Sequence, residues 1–215
     1  METGSQIARP APAEMPRYIK PKDSDAARQV ASAFGVCVVR SHRTAAERAL
    51  AMPSFGKNTW HALYSLADER CLKSGELMMP PELMRGSLYA ALYAIDYRAD
   101  PSVQITTPVD YSPDVVGADP AAGQNYLALH NFADCVVRAD TATSRVLVLS
   151  PASSAAESEN FARLTPRLSG CIVQGQTITF SKAVLSAVLA EALYRGTKAA
   201  VASSMAVTPH ATPAG

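Results

Sequence analysis

At 215 residues the chain is long enough for one large domain or two small ones, and its 48% hydrophobic content can fill a core. The formal net charge of +1, with 20 Lys/Arg and 19 Asp/Glu mixed along the chain, excludes the basic footprint by which a dedicated nucleic-acid binder displaces counterions. No apolar run reaches the ~18–20 residues that span a bilayer; the most apolar segment, AVLSAVLAEALY at 183–194, is shorter and contains Glu191.

Residues 1–22 hold four prolines, show little periodicity and lack the apolar stretch of a secretory signal; they read as a disordered or extended arm. The first periodic segment is SDAARQVASAFGVCVVR. Ala27, Val30, Ala31, Phe34, Cys37 and Val38 fall on one helical face, with Ser24 placed as the N-cap. A short helix is expected at 44–52, ended by Pro53, and a further helix at 58–71. KSGELMMP then reads as a glycine turn and a short extended run at 77–79. PELMRGSLYAALYAI, residues 81–95, is a helix with Pro81 in its first turn.

Residues 98–123 carry four prolines and four aspartates and read as a linker, with an extended piece at 103–107. A second set of elements follows. QNYLALHNFADCVVR is a helix, and TSRVLVLS, ended by Pro151, suits helix or strand. Residues 154–164 form a helix, VQGQTITF gives a turn and an extended run at 177–180, and SKAVLSAVLAEALYR is a last helix capped by Ser181. Residues 203–215 read as a flexible tail.

The two sets match. FGVCVVR at 34–40 returns as FADCVVR at 132–138, and Pro53 returns as Pro151, all displaced by 98. Ala62, Cys71 and Gly75 match Ala162, Cys171 and Gly175 at a displacement of 100. LYAALY at 88–93 matches LAEALY at 189–194 at 101. The reading is a mainly α protein made by tandem duplication of a helical unit of about 70 residues, with repeat one at 23–97 and repeat two at 124–202. The two extended runs would pair across the pseudo-dyad. Two copies make a pseudo-symmetric pair rather than a solenoid.

The four cysteines fall two per repeat, Cys37 and Cys71 in one, Cys135 and Cys171 in the other. Within-repeat pairing gives two disulfides, each tying a first helix to the end of a third. Free buried thiols are the alternative, since zinc sites favour closely spaced cysteine pairs and a reactive thiol needs a base beside it. Disulfides imply an oxidising compartment, periplasmic or extracellular, and the expectation is then a leader removed ahead of Met1.

Arg40 and Arg138 close the repeated heptads. Each sits where a cation favours a helix C-terminus; together they could bind an anion between the repeats. Trp60 and Tyr64, with Phe55, Tyr89, Tyr93, Tyr97 and Met78, Met79 and Met84, make repeat one richer in aromatic and soft apolar groups than repeat two. They either fill the core or receive an apolar or peptide partner. None of His42, His61, His130 and His210 has metal-ligand spacing, and no phosphate loop, nucleophile elbow or dinucleotide fingerprint occurs. Neither a catalytic residue nor a cofactor or metal is therefore assigned.

The CVVR segments at 37–40 and 135–138, a downstream cysteine, Gly175-Gln176 and the ALYR of 192–195 resemble uncharacterised exported bacterial proteins. The resemblance covers roughly two-thirds of the chain. Repeat one departs from it, with Gly75-Glu76 and Tyr93-Ala94. It implies export and a shared fold, and no activity. The expected function is a non-catalytic secreted or periplasmic interaction or structural protein with a partner in the cell envelope. The alternatives are a ligand- or anion-binding protein or enzyme using Arg40 and Arg138, and an architectural subunit of an envelope assembly docking through its Pro-rich arms.

Overall fold

The computed structural model describes residues 24–67, 70–71, 79–99, 103–172 and 181–206. They form seven α-helices: α1 (Ser24–Leu50), α2 (Lys57–Tyr64), α3 (Pro81–Asp96), α4 (Pro120–Ala139), α5 (Thr141–Leu149), α6 (Ala155–Leu168) and α7 (Lys182–Ala206). Short 3-10 turns occupy Ser112–Val115 and Ser169–Cys171. No strand occurs among the described residues. Of the extended runs read from the sequence, 177–180 and all of 77–79 but Met79 lie outside the described residues; Met79 and the piece at 103–107 form no strand.

Local chemistry explains the boundaries. Helix α1 is interrupted at His42, whose backbone leaves the helical region (φ −135°, ψ 37°). Asp140 (φ −151°, ψ 76°) ends α4 and caps α5, its carboxylate accepting from Thr143 N at 2.9 Å. That cap makes VLVL helical rather than extended. Helix α4 begins at Pro120, four residues before the expected start. Asp119 accepts from Ala121 N and Ala122 N, and Pro120 occupies a first turn where its missing N–H costs nothing. Helix α2 stops at Tyr64, short of the expected 71, and the chain turns so that Leu66 and Cys71 reach the core. Helix α7 continues to Ala206 because KAAVASSMA contains no breaker before Pro209.

Helices α3 and α7 form the central pair, with α1 packed on α3 and α4 packed on α7. Their crossing is close at Gly86: a Cβ added there would lie 2.2 Å from Ala187 Cβ and 2.5 Å from Ala187 Cα. Gly35 brings α1 equally near α3, since a Cβ there would meet the Ser87 carbonyl oxygen at 2.5 Å. The apolar stripes of these helices, including Phe34, Val38, Met84, Leu88, Leu92, Val136, Leu189 and Leu193, make one continuous core. Ile105 and Tyr111, from the segment read as a linker, are buried in the same interior.

Two disulfides staple the bundle, Cys37–Cys71 from α1 to the turn after α2, and Cys135–Cys171 from α4 to the turn after α6. They close separations of 34 and 36 residues, with Cα–Cα distances of 5.6 and 5.7 Å. No described helix is long and apolar enough to cross a membrane.

Candidate functional site

The apolar face of α7 carries one carboxylate into the interior. Glu191 is 3% exposed and lies where α3, α4 and the Ser112–Val115 turn converge on α7. A buried charge must be met by others, and here they come from every side. Arg195, one turn along α7, donates from Nη1 to Glu191 Oε1 at 3.1 Å and to Asp114 Oδ2 at 2.6 Å. Arg85 from α3, itself 3% exposed, donates from Nη2 to Glu191 Oε1 at 3.4 Å and stands 4.0 Å from Asp114 Oδ1. His130 from α4 presents Nε2 to Glu191 Oε2 at 3.4 Å.

Aromatic rings wall the cluster. Tyr126 stacks on His130 with centroids 3.7 Å apart and planes inclined by 20°. The Tyr111 ring lies 5.1 Å from His130 and supports the Arg195 guanidinium at 4.6 Å. Burial by itself would raise the Glu191 carboxyl. The hydrogen bond from His130 and the charges of Arg85, His130 and Arg195 outweigh it and bring the pKa down to about 2. Burial pushes the phenols of Tyr89, Tyr111 and Tyr126 upward, so they stay neutral walls. Two carboxylates face two guanidinium groups and an imidazole, an arrangement that ties three helices and a turn together.

The residues singled out from the sequence are placed elsewhere. Arg40 is exposed on α1. Arg138 is half-buried, and its Nε donates to Asp134 Oδ2 at 2.8 Å, while Asp134 Oδ1 accepts from Val109 N at 3.2 Å. The two arginines thus have different surroundings, and Arg138 serves to pin the segment before α4. Trp60 and Tyr64 stand outward on α2, 46% and 44% exposed, whereas Tyr89 and Tyr93 are buried in the core. Met79 and Met84 are core residues too, and Met78 lies outside the described residues.

Sequence reasoning missed the Glu191 cluster. Its one linear signal is a carboxylate inside the most apolar stretch of the chain. Its partners follow no spacing rule, since Arg85 is 106 residues away. Among the described residues no group of His, Cys, Asp and Glu could hold a metal ion. Comparison with protein-family models, curated proteins and solved structures finds no significant match to this chain.

Proposed function

We propose that the chain is an exported, disulfide-stapled interaction protein built from two copies of one helical unit, and that the α2 face bearing Trp60 and Tyr64 is its contact surface. The observation that carries this reading is the exposure of two large aromatics one turn apart, read against their internal counterparts. Helices α2 and α6 begin 98 residues apart, at Lys57 and Ala155. Their buried positions keep that interval: Thr59, Leu63 and Leu66 against Glu157, Phe161 and Leu164. In this register, which takes the place of the displacement of 100 read for Ala62 and Ala162, Trp60 corresponds to Ser158 and Tyr64 to Ala162, both exposed. The helix packs without aromatics on that face in one copy, so folding does not demand them in the other. Clustered exposed aromatics are the usual anchors of protein interfaces.

Several contacts support the duplication. The breaks at His42 and Asp140 are 98 residues apart, and the disulfides join corresponding elements. Gly86 and Ala187, 101 residues apart, touch each other, as corresponding residues do on a two-fold axis. Contacts across that axis are reciprocal: Arg28 on α1 reaches Ser153 and Glu157 before and within α6, while Tyr126 on α4 meets Ser54 and Phe55 before α2. Export rests on the two disulfides, which persist in oxidising compartments, and on the resemblance to exported bacterial proteins. The partner is then a protein of the cell envelope.

Combined Trp60→Ala and Tyr64→Ala substitution tests the surface, with Ser158→Ala on α6 as control. Stability is expected to change by no more than about 0.5 kcal/mol, as for exposed sites. Recovery of the partner after crosslinking in intact cells should fall on the order of tenfold. Undiminished crosslinking, or global unfolding of the double variant, would show that these rings do not serve binding.

A further inference from the structure

The two disulfides stand in corresponding places but in different surroundings. Cys37 and Cys71 are 2% and 0% exposed, and the Arg70 carbonyl oxygen lies 3.7 Å from Cys37 Sγ. A thiolate has to reach a sulfur through free space, and at this bridge it meets protein. Cys135 and Cys171 are both partly exposed. Asn131 and Ala139, one turn to either side of Cys135 on α4, face solvent, and so do Ser169 and Gly170 beside Cys171. A Cβ added at Gly170 would have nothing within 4 Å. The second bridge is therefore open to attack from the Cys171 side.

The chain before Cys171 is also weakly held. Pro166 lies inside α6 and has no N–H for the Ala162 carbonyl, so the last turn of the helix lacks a backbone hydrogen bond. Ahead of it α6 is anchored. Ser154 caps it, Arg28 of α1 pairs with Glu157, and Phe161 and Leu164 are buried. Beyond Pro166, Leu168 and Ile172 rest on the core only partly buried, and the bridge to Cys135 supplies the covalent hold.

We propose that Cys135–Cys171 is a site of thiol–disulfide exchange, reduced selectively by a dithiol while Cys37–Cys71 stays closed, and that its opening releases residues 166–172 from α4. A thiolate of the dithiol attacks Cys171 Sγ, the S–S bond breaks, and Cys135 leaves with the electron pair and takes a proton from water. The second thiol of the dithiol, deprotonated in its turn, attacks its partner sulfur in the mixed disulfide. The dithiol closes into a disulfide, and the Cys171 thiolate is expelled and protonated. Two electrons pass from the dithiol to the bridge, and two thiols replace it. The oxidised form is the resting one; opening it uncovers the apolar side chains of Leu168 and Ile172. This goes beyond the contact surface on α2 and does not rest on it.

Selectivity is tested on the full-length, oxidised protein, incubated with dithiothreitol under native conditions, sampled over time, alkylated and peptide-mapped. Cys135 and Cys171 should be labelled on the order of tenfold or more faster than Cys37 and Cys71. Equal rates, or Cys37 and Cys71 labelled first, would overturn the proposal. Release is tested by hydrogen exchange once the second bridge alone is open. Amides of 166–172 should lose protection on the order of tenfold, while those of 88–93 in α3 keep theirs. Unchanged exchange at 166–172 would contradict the release. Combined Cys135→Ser and Cys171→Ser substitution fixes the open form without a reductant and should give the same pattern; protection equal to that of the oxidised parent would overturn it. No readout involves a partner, so a failed α2 surface and a failed exchange site give different results.

Discussion

Glu191 shows how a single side chain can govern the interior. Its carboxyl is held at about pKa 2, below the ordinary value, so the native state binds fewer protons than the unfolded one. A depressed carboxyl stabilises the fold above its unfolded pKa, and that contribution disappears as pH falls from the ordinary carboxylate range towards 2. Removing the acid should cost about 3–5 kcal/mol at neutral pH, since buried Arg85 would be left with Asp114 at 4.0 Å as its nearest carboxylate. Glu191→Ala and the parent, unfolded by urea from neutral to acid pH, should converge as the medium acidifies; a constant gap would contradict this account. Arg85 is less committed. Its contacts to Leu50 O, Tyr89 and Glu191 lie between 3.3 and 3.5 Å and all use Nη2, while Nε and Nη1 find no hydrogen-bond partner among the described residues. Arg85→Met should thus cost less than Glu191→Ala, because Arg195 and His130 still meet the carboxylate. At this scale the sequence was legible where chemistry is covalent and matched by repetition, as with the four cysteines. It was opaque where partners meet only in space, as with Glu191, Arg85 and His130.

Helix boundaries were legible where caps and apolar stripes agree, as in α3 with Pro81 in its first turn and Met84, Leu88 and Leu92 along its buried face. They were misread where one residue type has two uses. Pro120 looked like a breaker in a proline-rich stretch, yet it follows the Asp119 cap and opens α4. Asp140, which the sequence reading passed over, is both the end of one helix and the cap of the next. The central crossing gives the sharpest test at this scale. Alanine is normally worth up to about 1 kcal/mol over glycine inside a helix. At Gly86 that order should reverse. The added methyl meets Ala187 backbone as well as its Cβ, so Gly86→Ala should destabilise by about 1–3 kcal/mol as overpacked interiors do. Adding Ala187→Gly should recover part of the loss, because it removes the opposing methyl. Thermal unfolding of the two variants and the parent measures this; a neutral or stabilising Gly86→Ala would mean that α3 and α7 do not cross so closely.

As a whole, the molecule answers a problem of size. A helical unit of about 70 residues buries little apolar area and is marginal alone. In the two-unit reading proposed above, joining the units across α3 and α7 makes one continuous core, and each disulfide adds roughly 3–4 kcal/mol by restricting the unfolded chain. The linker of the sequence reading proved to contribute Ile105 and Tyr111 to that core, because proline and aspartate content says how a segment bends and not what its apolar residues touch. What the fold leaves over is an aromatic pair exposed on α2 and a buried charge cluster around Glu191. All of this presupposes oxidised cysteines in the native compartment. The most direct test is intact mass of the protein isolated from its own cells, with thiols trapped at lysis, followed by peptide mapping without reduction. Two bridges, Cys37–Cys71 and Cys135–Cys171, are expected, with no alkylatable thiol. Four alkylated cysteines, or a bridge joining Cys37 or Cys71 to Cys135 or Cys171, would contradict export and the two-unit architecture together.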